Sequence, residues 1–121
     1  NNFSYWINRL EHYYSQKTGM RLYPGTLNIL LENSFYEFPR STVRLEKEEY
    51  GGAVSVAILP CRFFGRTVFA LRPDSHGGAY GFPKEAILEI ASDVRLRDEF
   101  NLFDEDLVEI EVPEEGIARM R

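Results

Sequence analysis

Pro24-Gly25-Thr26-Leu27-Asn28-Ile29-Leu30-Leu31 is where this 121-residue chain changes character. A glycine, a hydroxyl and a carboxamide come together just ahead of an apolar run, and from here on the sequence reads as short strands. Gly25 lets the backbone turn or come close to a ligand. The Thr26 hydroxyl and the Asn28 carboxamide oxygen are neutral oxygen donors of the kind that hold a hard cation such as Mg²⁺. The same residues also suit a plain strand-entry turn, with Thr26 and Asn28 bonding their own backbone.

Upstream, Phe3, Trp6, Ile7, Leu10, Tyr13 and Tyr14 recur at helical spacing, with Ser4 as a cap near the start and Gly19 as the stop. The stripe lies on one face, which predicts core packing rather than a platform for stacked bases. Downstream, strands are predicted over 27–31, 42–45, 53–59, 67–71, 88–91 and 107–112. The last alternates acidic and apolar residues, as a half-buried strand does. Turn signals fall at Gly51-Gly52, at Gly65-Arg66 and through the glycine-rich stretch 73–83, whose length marks it as functional or disordered. Ser92 and Asp93 are placed to cap a short helix through Arg95, Arg97 and Phe100 that Asn101 ends. Many short strands around one core, with little helix, predict an all-β dominated fold: a small closed barrel of about six strands with an N-terminal helix and a short C-terminal helix. One domain over 1–113 and a loose tail over 114–121 follow.

Composition bounds the function. With 44% apolar and 27% charged residues the chain is an ordinary globular one. A net charge of −5 argues against nonspecific nucleic-acid binding, which needs a basic field, but a polyphosphate site built from a few donors and a metal tolerates it. The longest apolar run is too short to span a bilayer, so no membrane partner is expected. Cys61, the single cysteine, sits among Ile58, Leu59 and Phe63 and reads as a small buried hydrophobe. The cytoplasm is the expected compartment, and a monomer the expected state.

Beyond Gly25-Thr26-Leu27-Asn28, the chain carries Leu59-Pro60-Cys61, then Leu88-Glu89-Ile90-Ala91-Ser92-Asp93-Val94-Arg95-Leu96-Arg97, then Asn101-Leu102-Phe103-Asp104-Glu105-Asp106 leading into Val108-Glu109-Ile110-Glu111-Val112. This order and spacing resemble the CTP-dependent riboflavin kinases, known from archaea and as a related domain in bacteria. The resemblance implies a riboflavin-kinase-like cradle-loop barrel of six strands. It implies that Thr26 and Asn28 hold Mg²⁺ and that Val94, Arg95, Leu96, Arg97, Asp98 and Glu99 bind the cytidine nucleotide, although Arg95 and Arg97 also fit a solvated helix surface. Glu89 matches a flavin-contacting glutamate. Flanked by Leu88 and Ile90 on a strand, it points away from them. Ser75, His76 and Gly81 compete for the family's flavin contacts in the long loop. Two departures stand out. The family's G-x-G phosphate segment would fall immediately before Asn1, and its D-G-D turn reads Asp104-Glu105-Asp106, a lost glycine expected to change the local turn.

The resemblance therefore implies transfer of the terminal phosphate of CTP to riboflavin, giving FMN and CDP, with water or a loop carboxylate such as Asp74 taking the proton. A noncatalytic barrel that binds nucleotide or flavin is the alternative. DNA binding by a barrel relative fits the acidic charge poorly.

Overall fold

The computed structural model describes residues 2–75, 77–78 and 81–113. His76 and the tail expected over 114–121 lie outside the described residues. The N-terminal stripe forms two helices, α1 (Asn2–Arg9) and α2 (Glu11–Thr18), rather than one. Leu10 leaves helical geometry at φ −107° and ψ 30°. Helical bonding still crosses the bend, from Leu10 N–H to Trp6 O at 2.8 Å and from Tyr14 N–H to Leu10 O at 3.0 Å. Gly19 ends the pair as expected, at φ 77° with its N–H donating to Ser15 O.

Five strands, β1 (Leu27–Leu30), β2 (Val43–Leu45), β3 (Val56–Phe63), β4 (Arg66–Pro73) and β5 (Ile87–Ala91), form one antiparallel sheet in the order β1-β5-β4-β3-β2. Two single-turn helices accompany them: α3 (Lys47–Tyr50) between β2 and β3, where only a glycine turn was expected, and α4 (Leu96–Glu99) after β5. Glu46 and Glu49 close a capping box on α3.

The sheet is all antiparallel but open among the described residues. The expected sixth strand, 107–112, keeps its alternation: Val108, Ile110 and Val112 pack on the core, while Leu107, Glu109 and Glu111 are exposed. It makes one bridge, in which Arg62 and Glu111 exchange N–H to O bonds at 3.0 and 2.9 Å. Pro60 supplies a physical reason for so short a ladder. It lies two residues before Arg62 and two after Ile58, the last partner of β2, so its missing N–H falls on the same outer edge of β3. Pairing on that edge stops at Ile58 and resumes only at Arg62.

Both faces of the sheet are covered. Ile29, Leu59, Cys61, Phe63, Val68, Ala70, Leu88 and Ile90 build one cluster. Leu45, Val56, Ile58, Phe69, Leu71 and Ala91 build the other, against Ile7 of α1 and Tyr14 of α2. That two-sided burial explains why β3 and β4 read as nearly continuous apolar runs. Cys61 lies in the first cluster, and burial pushes its thiol up to about 11.

At the end of β4 the half-buried Arg72 guanidinium donates to three carbonyls, Tyr36 O at 2.7 Å and Lys84 O and Ile87 O at 3.1 Å, and lies 4.3 Å over the Phe38 ring. Burial holds its pKa below the usual arginine value. This clamp ties β4 to the entry of β5 and to the loop after β1. Arg72→Met leaves three carbonyls without their charged donor and is expected to cost about 2–4 kcal/mol in urea unfolding. A loss under about 0.5 kcal/mol would show that the clamp is incidental.

Candidate functional site

The site is assembled by the pairing of β1 with β5, whose register sets Asn28 opposite Glu89 and Leu27 opposite Ile90. Directly opposed residues share a face, so the Asn28 and Glu89 side chains leave the sheet on the same side. Thr26, two residues before Asn28, joins them there. Its hydroxyl donates to Glu89 Oε2 at 2.7 Å, across the strands rather than to its own backbone. Glu89 is half-buried between the fully buried Leu88 and Ile90, which confirms the alternation expected from sequence.

The Thr26 proton is committed to Glu89, which leaves the lone pairs of its oxygen to accept or to coordinate. With the exposed Asn28 amide beside it, this is a set of neutral oxygens backed by one carboxylate. Among the described residues no cluster of three or more His, Cys, Asp or Glu could hold a metal ion. Neutral oxygens of this kind suit a hard cation, which would need its remaining ligands from phosphate oxygens and water. Gly25 has a specific local role: its N–H donates to Tyr23 O at 2.8 Å, and a Cβ there would lie 3.0 Å from the Tyr23 ring.

The segment from Val94 to Glu99 reaches the same place. Leu96 is buried and Val94 packs on the first cluster, which anchors the segment. Arg95 and Arg97 stay partly exposed, and with Thr26, Gly25 and Tyr23 they line a cleft of about 50 Å³. Two expected metal-site and nucleotide-site elements thus share one wall. Asp98 pairs with Arg95 at 2.5 Å, and Asp104 with Arg97 at 3.1 Å. Glu99 lies 3.7 Å from Arg66.

The expected capping is corrected. Arg95 occupies the N-cap position of α4 with no side-chain cap, Ser92 is fully buried and donates to Thr67 O at 2.9 Å, and Asp93 pairs with Arg66 at 2.7 Å. That guanidinium holds the Asp93 carboxyl below its usual range. Asn101 follows α4 in the left-handed region, at φ 53°. The lost glycine of the following turn leaves the backbone in a glycine-type conformation: Glu105 sits at φ 71°, the third residue of a turn closed by Asp106 N–H to Phe103 O at 3.1 Å.

Ser75 is exposed and lines a different cavity of about 260 Å³ with Phe3, Trp6, Tyr14, Tyr50 and Pro73. His76 lies outside the described residues, and Gly81 sits at φ 82°. Tyr14 is the most deeply buried residue of this cavity's aromatic lining. Its hydroxyl pKa is raised by burial first, then by Tyr50 and by the charge of Glu89. Tyr14 was not legible as a cavity residue, since it reads as a core aromatic of the N-terminal stripe, and Tyr50 falls outside every motif singled out in the sequence. The signal at Tyr14 was a polar tip on an otherwise apolar stripe. Asp74, the loop carboxylate considered as a proton acceptor, is held by Arg44 at 2.6 Å.

The chain is thus an antiparallel β domain in which the β1–β5 pair brings Thr26, Asn28 and Glu89 together beside Arg95 and Arg97, with a separate aromatic cavity lined by Phe3, Trp6, Tyr14 and Tyr50. Residues 3–112 match the family model named CTP-dep_RFKase and described as domain of unknown function DUF120, and the chain belongs to this CTP-dependent riboflavin kinase domain family. It is 37% identical over 105 residues to a riboflavin kinase of Archaeoglobus fulgidus, covering 82% of this chain and 43% of that protein. It is 30% identical over 105 residues to a riboflavin kinase of Staphylothermus marinus, covering 84% of this chain and 75% of that protein. The chain thus spans less than half the length of the Archaeoglobus relative. No helix among the described residues is long and apolar enough to cross a membrane.

The Asp104-Glu105-Asp106 turn yields a direct test of local strain. Glu105→Gly relieves a left-handed glutamate at some cost in unfolded-chain entropy, for a net gain of about 0.5–1 kcal/mol in denaturant unfolding. A destabilised variant would mean that the Glu105 side chain itself holds the turn.

Proposed function

We propose that this chain is the catalytic domain of a CTP-dependent riboflavin kinase, which converts riboflavin and CTP into FMN and CDP with Mg²⁺ as cofactor. The observation that carries the reading is that Thr26 shares one cleft with Arg95 and Arg97 and is hydrogen-bonded to Glu89. In this reading Thr26 and Asn28 hold the cation, Val94, Arg95, Leu96, Arg97, Asp98 and Glu99 form the nucleotide side, and Glu89 and Ser75 belong to the flavin side. The aromatic cavity around Trp6, Tyr14 and Tyr50 offers a flat ring the apolar walls it needs. The family's six-stranded barrel is part of the proposal, with 107–112 as the strand that extends the edge of β3 past Pro60.

Thr26 and Asn28 would hold Mg²⁺, which would supply charge neutralisation at the phosphates. The chain's own residues do the rest by alignment. Glu89 takes the Thr26 hydrogen and so fixes which way the threonine oxygen faces. Arg95 and Arg97 line the cleft with guanidinium groups whose charge is shared with Asp98 and Asp104. In the transfer, the bond between the γ-phosphorus and the oxygen it shares with the β-phosphate breaks, and a bond forms to the primary hydroxyl oxygen of the ribityl chain. CDP departs with the electron pair, and the hydroxyl proton passes to water, because Arg44 already engages Asp74.

Phosphorylation of riboflavin by the encoded protein, measured in parallel with CTP, ATP, GTP and UTP, tests the reading. Turnover is expected with CTP, since a site that pairs with the amino group and carbonyl of cytosine leaves them unmatched against other bases, at about 1–3 kcal/mol each. Thr26→Val keeps the shape while removing the donor, and is expected to weaken Mg²⁺-dependent CDP binding about tenfold in calorimetry, or roughly 1.4 kcal/mol. Robust turnover with ATP and none with CTP would overturn the assignment. Tight CDP or flavin binding without turnover on any nucleotide would favour a noncatalytic binding domain.

A further inference from the structure

We propose that Arg66, the first residue of β4, is a positioning residue for the nucleotide: it grips both ends of the 93–99 segment and so fixes the direction of Arg95 and Arg97. The inference rests on the reading of that segment as the nucleotide side of the site. Arg66 Nη2 lies 2.7 Å from Asp93 Oδ1, and Nη1 lies 3.7 Å from Glu99 Oε2. One planar guanidinium thus spans the segment from before α4 to its last turn. Its Nε is buried without a hydrogen-bond partner among the described residues, so the head group gives up solvation on one side to reach the two carboxylates.

The rest of the β3–β4 hairpin end converges on the same segment. The turn between the strands runs through Phe64 at φ 51° and Gly65 at φ 75°, both left-handed, which is the geometry of tight hairpin turns. Glycine takes that conformation without penalty, but phenylalanine does not. The strained residue sends its ring onto Phe100, with centroids 4.8 Å apart and planes at 31°, while Phe63 meets the same ring edge-on at 5.7 Å. Ser92, just before the segment, donates to Thr67 O on β4 at 2.9 Å.

A helix of one turn has almost no stability of its own, so α4 takes its geometry from whatever holds it. Here that holder is the hairpin end. Arg66 does not line the cleft, and it acts through the backbone that carries Arg95 and Arg97. The pair with Asp93 is about one-third to one-half exposed, and such pairs add little to folding stability. Misdirecting a binding loop is far more costly to the ligand than to the fold. Arg66 therefore separates nucleotide affinity from flavin affinity and from stability.

The test compares the wild-type protein with Arg66→Met, Arg66→Lys and Asp93→Asn, measuring CDP binding in Mg²⁺, riboflavin binding and thermal unfolding. Arg66→Met is expected to raise the CDP Kd about tenfold, to leave the riboflavin Kd within about twofold and to shift Tm by less than about 5 °C. Arg66→Lys keeps the charge but loses the fork, so it recovers only part of the affinity. Asp93→Asn moves CDP binding in the same direction by a smaller factor, and decides the matter if Arg66→Met does not fold. Unchanged CDP affinity in both variants, or a parallel loss of CDP and riboflavin binding with a large fall in Tm, would overturn the positioning role. Wild-type protein that binds no CDP would remove the nucleotide reading itself, a result distinct from either.

Discussion

The register of β1 against β5 is the constraint on which the candidate site depends. Asn28 faces Glu89 only in this pairing, and a slip of β1 by one residue against β5 would turn Asn28 into the apolar cluster and Ile29 out of it. The burial of Leu88 and Ile90 on one face and the Thr26 to Glu89 hydrogen bond on the other exclude that slip from both sides. The same pairing brings Gly25 and Thr26 beside Arg95 and Arg97, because β5 leads into α4 within five residues. One strand pair therefore gathers oxygen donors, a carboxylate and two arginines that are far apart in sequence.

Around that pair, the fold is organised by what holds ends rather than middles. Arg72 pins the start of β5 through backbone carbonyls, and Arg66 pins the segment after it through carboxylates. Both arginines sit on β4, at opposite ends, so this central strand frames β5 on either side of Glu89. Pro60 acts in the opposite sense. By removing a donor from the outer edge of β3 it leaves the far side of the sheet lightly paired, with Glu111 as the one bridge there among the described residues.

Much of this was legible in the chain. The apolar runs at β3, β4 and β5, the alternation at 107–112 and the stop at Gly19 each follow from side-chain periodicity or backbone permissiveness, which are local properties. The bend at Leu10 and the single-turn α3 were not, because each depends on a few degrees of backbone angle or on a reciprocal cap between glutamates. Thr26, Asn28 and Glu89 were legible as candidates, but their convergence was not, since a hydrogen bond spanning 63 positions has no local signature. Ser92 shows the converse. Its sequence neighbourhood is that of a helix cap, yet burial against Thr67 claimed its hydroxyl first. The roles of Arg66 and Arg72 were invisible for the same reason: both anchor distant segments, and an arginine on a strand carries no mark of which carbonyl or carboxylate it will meet.

The central claim is that one strand pair and the segment after it form a single metal and nucleotide site. Paramagnetic broadening of amide resonances by Mn²⁺ in the presence of CDP tests it most directly, since the effect falls steeply with distance from the ion. The account predicts that Thr26, Asn28, Glu89, Arg95 and Arg97 broaden together, that CDP is required, and that Val43 and Arg44 of β2, at the sheet edge opposite β1, keep their lines. Broadening centred instead on the exposed acidic turn at Asp104, Glu105 and Asp106, with or without CDP, would contradict it.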